Sequence, residues 1–535
     1  MSRTISIFDT TLRDGTQGEG VSLTVEDKIK IAKKLDALGV HYIEGGIPGG
    51  NVKDAEFFRR AKDLNLHATL TAFGSTRRKN SACEQDANLL GLLNSGAKAV
   101  TLVGKSWDFH VHTALQTTLE ENLAMIRESV AFLKGHGLEV IFDAEHFFDG
   151  FKNNAEYALA VLKAAQDAGA DWIVLCDTNG GALPGEISGI ITRTLQEIRT
   201  PVGIHTHNDG ELAVANTLAA VAAGARQVQG TINGYGERCG NANLCSIIPN
   251  LQLKMGYRCV SDEQLAMLTS VARYVAEVAN MHMPNNQPYV GVSAFAHKGG
   301  IHASAILRDP KTYEHIPPEQ VGNQRRVLVS ELAGHSNILS KAQEMGLDIR
   351  DESTSRRLIE RVKELEHQGY QFEGADASLE LLLRDACGED VRIFKVVSFK
   401  IIVEKTEKGL VSEAIVKIDV DGREAYTVAE GNGPVNALDN ALRKALVLHF
   451  PDIRNVHLTD YKVRVLDEQN ATASKVRVLI ESSDFKEKWS TVGVSANIIE
   501  ASWEALVDSI RYALIGKEKN RRIVEAEPVN GLSNH

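Results

Sequence analysis

Short runs of apolar and β-branched residues alternate with helix-length amphipathic segments from residue 5 to about residue 231. Parallel strands joined by crossover helices give this order. Eight strands are predicted: Ile5–Asp9, Tyr42–Gly46, Ala68–Ala72, Ala99–Val103, Glu139–Phe142, Trp172–Cys176, Val202–Thr206 and Gln227–Thr231. Helical periodicity between them is clearest in Val25–Leu38, Leu119–Lys134, Ala155–Asp167 and Ala213–Ala222. Four helices end in a break containing glycine, at Gly39, Gly96, Gly169 and Gly224, as left-handed helix caps require. Eight strand–helix units in about 250 residues match a (β/α)8 barrel. The competing open, doubly wound sheet would carry a Gly-rich phosphate loop after its first strand. That position holds DTTLRDGTQ, so the predicted fold class is α/β, led by a TIM barrel.

The alternation stops after residue 255. A helix is predicted over Asp262–Val278, then a Pro-, Gly- and His-rich stretch from Met283 to Gly322, then charged helical sequence to Cys387. From Val391 long alternating strands return, with helices at Val435–Leu448 and Ala501–Ile515, the mark of a separate α+β domain. The predicted domains are therefore 1–270, a catalytic barrel; 271–388, a mainly helical linker; 389–516, an α+β domain; and 517–535, a polar, mobile tail.

Composition narrows the function classes. The chain has 535 residues, and 59 basic against 70 acidic residues leave a net charge of −11. That balance opposes a chain-wide grip on nucleic acid or anionic lipid. Six cysteines without C-x-x-C spacing read as free thiols of a reducing compartment. With no charged leader and no apolar run of membrane-spanning length, a cytoplasmic location is expected.

Barrel enzymes gather their chemistry at the C-terminal ends of the strands. Four segments meet that condition: Arg13-Asp14, Glu145-His146, His205-Thr206-His207 with Asn208-Asp209, and NGYGERCGN at Asn233–Asn241. His205 and His207 are two apart, so on a strand both imidazoles face one way and can share a metal ion. Asp14 from the adjoining first strand adds a carboxylate. Mixed nitrogen and oxygen donors suit Mn2+, Mg2+, Zn2+ or Co2+. Arg13 can stabilise a developing oxyanion, or form an ion pair for which Glu145 is the partner considered. Glu145 reads as an acid/base group, whereas His146 should point the opposite way and is read as structural. His302, in HKGGIHASAI, can act as a mobile base, and the glycines of GNGP at Gly431–Pro434 precede a helix that can receive an anion.

These residues lie in motifs that resemble the family of isopropylmalate, homocitrate and citramalate synthases, relatives of hydroxymethylglutaryl-CoA lyase. The motifs are LRDGTQ at Leu12–Gln17 with Lys28 beyond it, HTHND at His205–Asp209, GERCGNANL at Gly236–Leu244, GGIHASAI at Gly299–Ile306 and GNGPVNAL at Gly431–Leu438. The resemblance implies Asp14, His205 and His207 as ligands of a divalent metal, with Asn241 as a fourth ligand or its neighbour. It implies Arg13 at the oxyanion and Glu145, His302 and Tyr313 in the acid/base machinery, His302 acting across a homodimer. One departure stands out: Glu211 follows Gly210 where the family usually has glycine two residues after HND. It is expected to start the seventh helix near the site, where the helix dipole suits a carboxylate.

Within the family, Glu44–Phe58, Phe73–Asn80 and Asp143–Asn154 look most like the citramalate branch. That branch implies an acyltransferase condensing acetyl-CoA with pyruvate and water to give (R)-citramalate and CoA, in isoleucine and hence branched-chain amino acid biosynthesis. The last domain then resembles an allosteric dimerisation domain, with isoleucine as the expected effector. A 2-isopropylmalate synthase acting on 2-oxoisovalerate, a metal-dependent carbon–carbon lyase of the same barrel superfamily and a non-enzymatic metabolite sensor are the alternatives.

Overall fold

The strand of Ser6–Asp9 (β1) is followed by seven more, Tyr42–Gly46 (β2), Thr69–Ser75 (β3), Ala99–Lys105 (β4), Glu139–Glu145 (β5), Trp172–Asp177 (β6), Val202–Thr206 (β7) and Gln227–Gly230 (β8). They pair in parallel, each with its sequence neighbour, and β8 returns to β1 to close the barrel. The computed structural model describes residues 4–328, 341–347, 349, 352–407, 409–466, 474–485 and 487–526. Four strands run farther at their C-termini than the hydrophobic pattern indicates, to Ser75, Lys105, Glu145 and Asp177, because their last residues are polar; the first three of these line the mouth. The helices match closely. Val25–Leu38 is closed at its start by a Thr24–Asp27 capping box and at its end by Gly39 at φ 85°. The predicted Asp262–Val278 helix is instead two, Asp262–Leu265 and Leu268–Val278, because the chain tightens at the Met267 N–H to Gln264 carbonyl bond.

Two cores hold the barrel. Phe8, Ile141, Val174 and Cys176 fill its floor, with Tyr42 and Trp172 packed beside them. Outward residues such as Ile43, Leu102, Phe142 and Ile204 meet the surrounding helices.

The chain divides into two compact units, 1–295 with 315–325, and 296–314 with 326–535. In the second unit, Lys395–Thr406 (β11), Gly409–Val420 (β12) and Arg423–Gly431 (β13) form one antiparallel sheet. His457–Val465 (β14), Val476–Ser483 (β15) and Lys488–Ser495 (β16) form another; the numbering counts two short paired strands, Ala296–His297 (β9) and Arg326–Val327 (β10). Each antiparallel sheet is followed by a helix, Pro434–Leu446 and Ile498–Ala526, a repeat that the sequence did not announce. Gly431 lies so close to the helix after it that a β-carbon there would sit 2.4 Å from the Ala437 nitrogen, which explains GNGP by packing.

The mobile tail expected from 517 is corrected in part. The last helix continues to Ala526, because GKEKNRRIVEA has strong helix formers and no proline. Residues 527–535 of that tail lie outside the described residues. Helices Glu352–Gln368 and Asp376–Ala386 share a core with β16 through Leu358, Val362, Leu379, Leu383, Val492 and Val494. No helix among the described residues is long and apolar enough to cross a membrane.

Candidate active site

Strand register selects which side chains meet inside the barrel. Lys105 lies beside Glu145, Val103 beside Asp143, Cys176 beside His205, and His205 beside Gln229. Since neighbours in register share a face, the inward positions near the mouth carry Lys105, Asp143, Glu145, His205 and Gln229. Glu44 belongs to the same face, through Tyr42 beside the floor residue Phe8. These ends open into a cavity of about 730 Å³.

Asp14, His205 and His207 converge there as predicted, all buried, with one ligand atom from each within 4.8 Å of the others. Asp14 Oδ2 is 3.3 Å from His205 Nε2, and the two histidine Nε2 atoms face one another at 3.2 Å. Two imidazole nitrogens and a carboxylate oxygen aimed at one point suit a divalent cation, which would meet all three lone pairs at once. His207 Nδ1 and Asn241 Oδ1 are buried with no hydrogen-bond partner among the described residues. Asn241 pairs with His207 in an isolated antiparallel bridge, so its spare oxygen belongs to the same corner. The residues present therefore fit a metal site.

Hydrogen bonds behind this cluster fix its protonation. The Gln229 amide donates from Nε2 to Asp143 Oδ1 at 3.1 Å, which turns its Oε1 to His205 Nδ1 at 2.8 Å. His205 Nδ1 must then donate, leaving Nε2 as the atom facing Asp14 and His207. Burial would raise the Asp14 carboxyl, but Arg13, His205 and His207 outweigh it and hold it far below the usual carboxylate range. Burial would likewise lower His205, yet Asp14 reverses the shift and raises it. Burial and then His205 push His207 down to about 3, so its imidazole is neutral. Burial, opposed by His205 and aided by Glu44, pushes Asp143 up to about 7.

Arg13 is held on three sides. Its Nε donates to Glu44 Oε2 at 2.6 Å, its Nη1 lies 3.3 Å from Asp14 Oδ2, and its Cζ stands 3.9 Å above the Phe73 ring. The ion pair considered with Glu145 is thus corrected: Glu44 is the partner, because β2 lies next to β1 in the barrel. Thr10 Oγ1 also donates to Glu44 Oε2, at 2.6 Å. Glu145 ends β5 on the cavity wall and pairs with Lys105 at the end of β4. His146 turns away at φ 57° and packs edge-on against His110, with Nδ1 3.2 Å from Asp149. Lys28 is structural: it pairs with Asp54 and donates to the Gly45 carbonyl at 3.0 Å.

The loop after β8 places Asn241. Gly240 has φ 93°, and a β-carbon there would sit 2.1 Å from the Gly234 carbonyl oxygen. Arg238 grips Asp209 with Nε and Nη2 at 2.7 and 3.0 Å and donates to the Thr178 carbonyl at 2.6 Å, tying together the loops after β6, β7 and β8. Glu211 does not start a helix, which is a second correction. It is exposed in the turn before helix Ala213–Ala223, at φ 60°, a conformation that explains why glycine suits this neighbourhood.

His302 and Tyr313 belong to the second unit, where their rings stack with centroids 4.1 Å apart. The sequence reading missed Glu44, Lys105, Asp143 and Gln229 as parts of the site. Counting back by two from Glu145, and by two from Thr231 where the eighth strand was predicted to end, would have found Asp143 and Gln229.

The HMGL-like family model matches residues 4–275, the homocitrate synthase post-HMGL domain-like model residues 289–370, and the LeuA allosteric (dimerisation) domain model residues 373–514. The (R)-citramalate synthase of Aquifex aeolicus is 56% identical over 97% of this chain and 99% of its own. That of Geobacter sulfurreducens is 55% identical over 96% of this chain and 98% of its own. The probable 2-isopropylmalate synthase of Methanopyrus kandleri is more distant, at 34% identity over 95% of this chain and 97% of its own. On the barrel, the residues at its mouth and these likenesses, the chain belongs to the HMGL-like enzymes and, among them, to the (R)-citramalate synthase family.

Proposed function

We propose that the protein condenses acetyl-CoA with pyruvate and water to give (R)-citramalate and CoA, a step toward isoleucine. The observation that carries this reading is the buried Asp14, His205 and His207 cluster, flanked by Arg13 and Glu145 in one cavity, in a chain of this family. A divalent ion held by the three ligands, with Asn241 beside them, would supply Lewis acidity to the ketone of the 2-oxo acid. Arg13, kept charged by Glu44 and Asp14, stabilises the oxyanion that forms when the acetyl methyl carbon adds to that ketone. Glu145, oriented by Lys105, takes part in moving protons, together with His302 and Tyr313. The acetyl methyl group loses a proton, the new carbon–carbon bond forms, and the alkoxide is protonated. Water then attacks the thioester carbonyl, the C–S bond breaks, and CoA leaves as the thiol.

Thiol release from acetyl-CoA with pyruvate, 2-oxoisovalerate and 2-oxoglutarate, with product identification, tests this reading. Preference for either larger acid overturns it. Titrating metal-free protein with Mn2+, Mg2+, Zn2+ and Co2+ identifies the ion.

Residues 389–516 are read as an isoleucine-responsive dimerisation domain, so the working form is a homodimer, and its location is read as cytoplasmic. Exposed Ile402, Tyr426 and Val428 lie on the face of the β11–β13 sheet opposite its buried residues and support a covered face in the dimer, and six cysteines outside any disulfide support a reducing compartment. Light scattering measures the dimer. Activity of the full chain that does not respond to isoleucine refutes feedback.

A further inference from the structure

The reaction above leaves one buried carboxylate of the cavity unused, that of Asp143. It lies on β5 two residues before Glu145, on the same inward face. Its Oδ1 accepts from Gln229 Nε2 at 3.1 Å, and Gln229 Oε1 reaches His205 Nδ1 at 2.8 Å, so the carboxylate stands one side chain away from the ligand cluster. Its Oδ2 has no hydrogen bond, and neither oxygen has an ion-pair partner, among the described residues.

Asp14 follows β1 and the two histidines end β7, so β3, β4 and β5 form the wall across the closed barrel from them. Phe73 and Val103 give that wall an apolar surface, and Val103 lies in register beside Asp143. A 2-oxo acid with a methyl tail asks nothing more of it. A second carboxylate on the tail would need a free cation there, and the cations at hand are engaged. Arg13 is held by Glu44 and Asp14, and Lys105 by Glu145, while the other basic residues of the lining, 77–79, belong to the loop beyond β3. Burial pushes Asp143 up to about 7, so a further anion at its side adds repulsion to a carboxylate that is already poorly stabilised.

We infer that Asp143 selects against 2-oxo acids that carry a second carboxylate, as a repulsive element in a wall that otherwise suits a small apolar tail. The inference rests on the reading of pyruvate as substrate. Asp143 acts on the tail and not on the reacting carbons, so its mark is the ratio between substrates.

Steady-state kinetics on the full chain tests it with pyruvate, 2-oxoglutarate and 4-methyl-2-oxopentanoate, whose tail is of like length without the charge. Asp143→Asn keeps the shape of the wall and the acceptor for Gln229. It should raise kcat/KM for 2-oxoglutarate by about tenfold or more relative to pyruvate, and by more than for the uncharged acid. Asp143→Ser should shift the ratio the same way. Calorimetry on the metal-loaded chain without acetyl-CoA should show the same gain in 2-oxoglutarate binding, read apart from turnover. An unchanged ratio in both variants overturns the inference, as do equal gains for the charged and uncharged acids, which would mean a loosened wall. Loss of binding of every acid by both variants would make Asp143 a support for Gln229 and overturns it too. A parent chain that itself prefers 2-oxoglutarate sinks the proposed reaction as well, whereas a parent that prefers pyruvate, with the ratio unchanged in the variants, sinks only the role of Asp143.

Discussion

Lys105, the last residue of β4, is ion-paired with Glu145, the last residue of β5, and the two lie side by side in strand register. The main chain around them is also pinned. Asn122 Nδ2 donates to the Lys105 carbonyl at 2.9 Å, and Ser106 Oγ to the Glu145 carbonyl at 2.7 Å. The pair is partly open to the cavity, so Lys105 can orient the Glu145 carboxylate without sealing it from substrate.

If Lys105 acts through Glu145, their substitutions will not add. Glu145→Gln should lower kcat by about 10²- to 10⁴-fold, the usual worth of a proton-transfer group. Lys105→Met should lower it less, by about tenfold or more, and the double variant should be no slower than Glu145→Gln alone. Lys105→Arg should restore most of the loss. Steady-state kinetics in pyruvate and acetyl-CoA checks this, and fully additive losses would show that Lys105 acts by another route.

Alanine at Asp14 or His207 should abolish condensation and leave the far-ultraviolet spectrum unchanged, since both side chains line the cavity at the mouth. The same variants should retain less bound metal after dialysis, measured by elemental analysis. Undiminished turnover of the parent in excess chelator would end the metal proposal.

Gln229 sets the tautomer of His205 through the bond to Nδ1, with Asp143 fixing the amide from behind. Gln229→Leu should therefore weaken metal binding by about 10- to 100-fold, the usual cost of losing a group behind a ligand. Titration of metal-free protein measures the constant directly and does not depend on activity. An unchanged constant would show that the imidazole is held by packing alone.

Glu211 occupies a left-handed conformation at φ 60° and is exposed. Glycine enters that region without a β-carbon clash, a difference of about 1 kcal/mol. Glu211→Gly should raise the barrel's urea midpoint, provided the turn's other bonds persist. A lowered midpoint would mean that the flexibility gained by the unfolded chain outweighs the relieved strain.

The barrel was legible because parallel strands buried on both faces leave apolar runs at regular spacing, broken by Gly-ended helices such as Val25–Leu38. His205 and His207 were legible because period two is a local property. Glu44 was not: its role depends on β2 lying beside β1, which brings it to Arg13 across 31 residues of sequence. Lys105 was hidden for a related reason, since its strand ends in the polar run Gly104-Lys105, where hydrophobic alternation gives no signal. The sixth antiparallel strand, KWSTVGVS, escaped because half of it is polar, and packing against the linker and last helices decides its state.

Cutting the chain at Gly388 is a direct way to remove feedback, but the cores argue against a clean result. Leu358, Val362, Leu379 and Leu383 on the linker helices pack against Val492 and Val494 of β16. Removing the terminal domain exposes that apolar face, and each buried Leu or Val side chain is worth about 1.5–3 kcal/mol. The truncated chain should bind a hydrophobic dye, melt at a lower temperature than the full chain and aggregate at high concentration. Loss of isoleucine sensitivity in it would then mix effector removal with damage to the linker. A truncated chain with no dye binding and an unchanged melting temperature would show that the linker helices stand without β16.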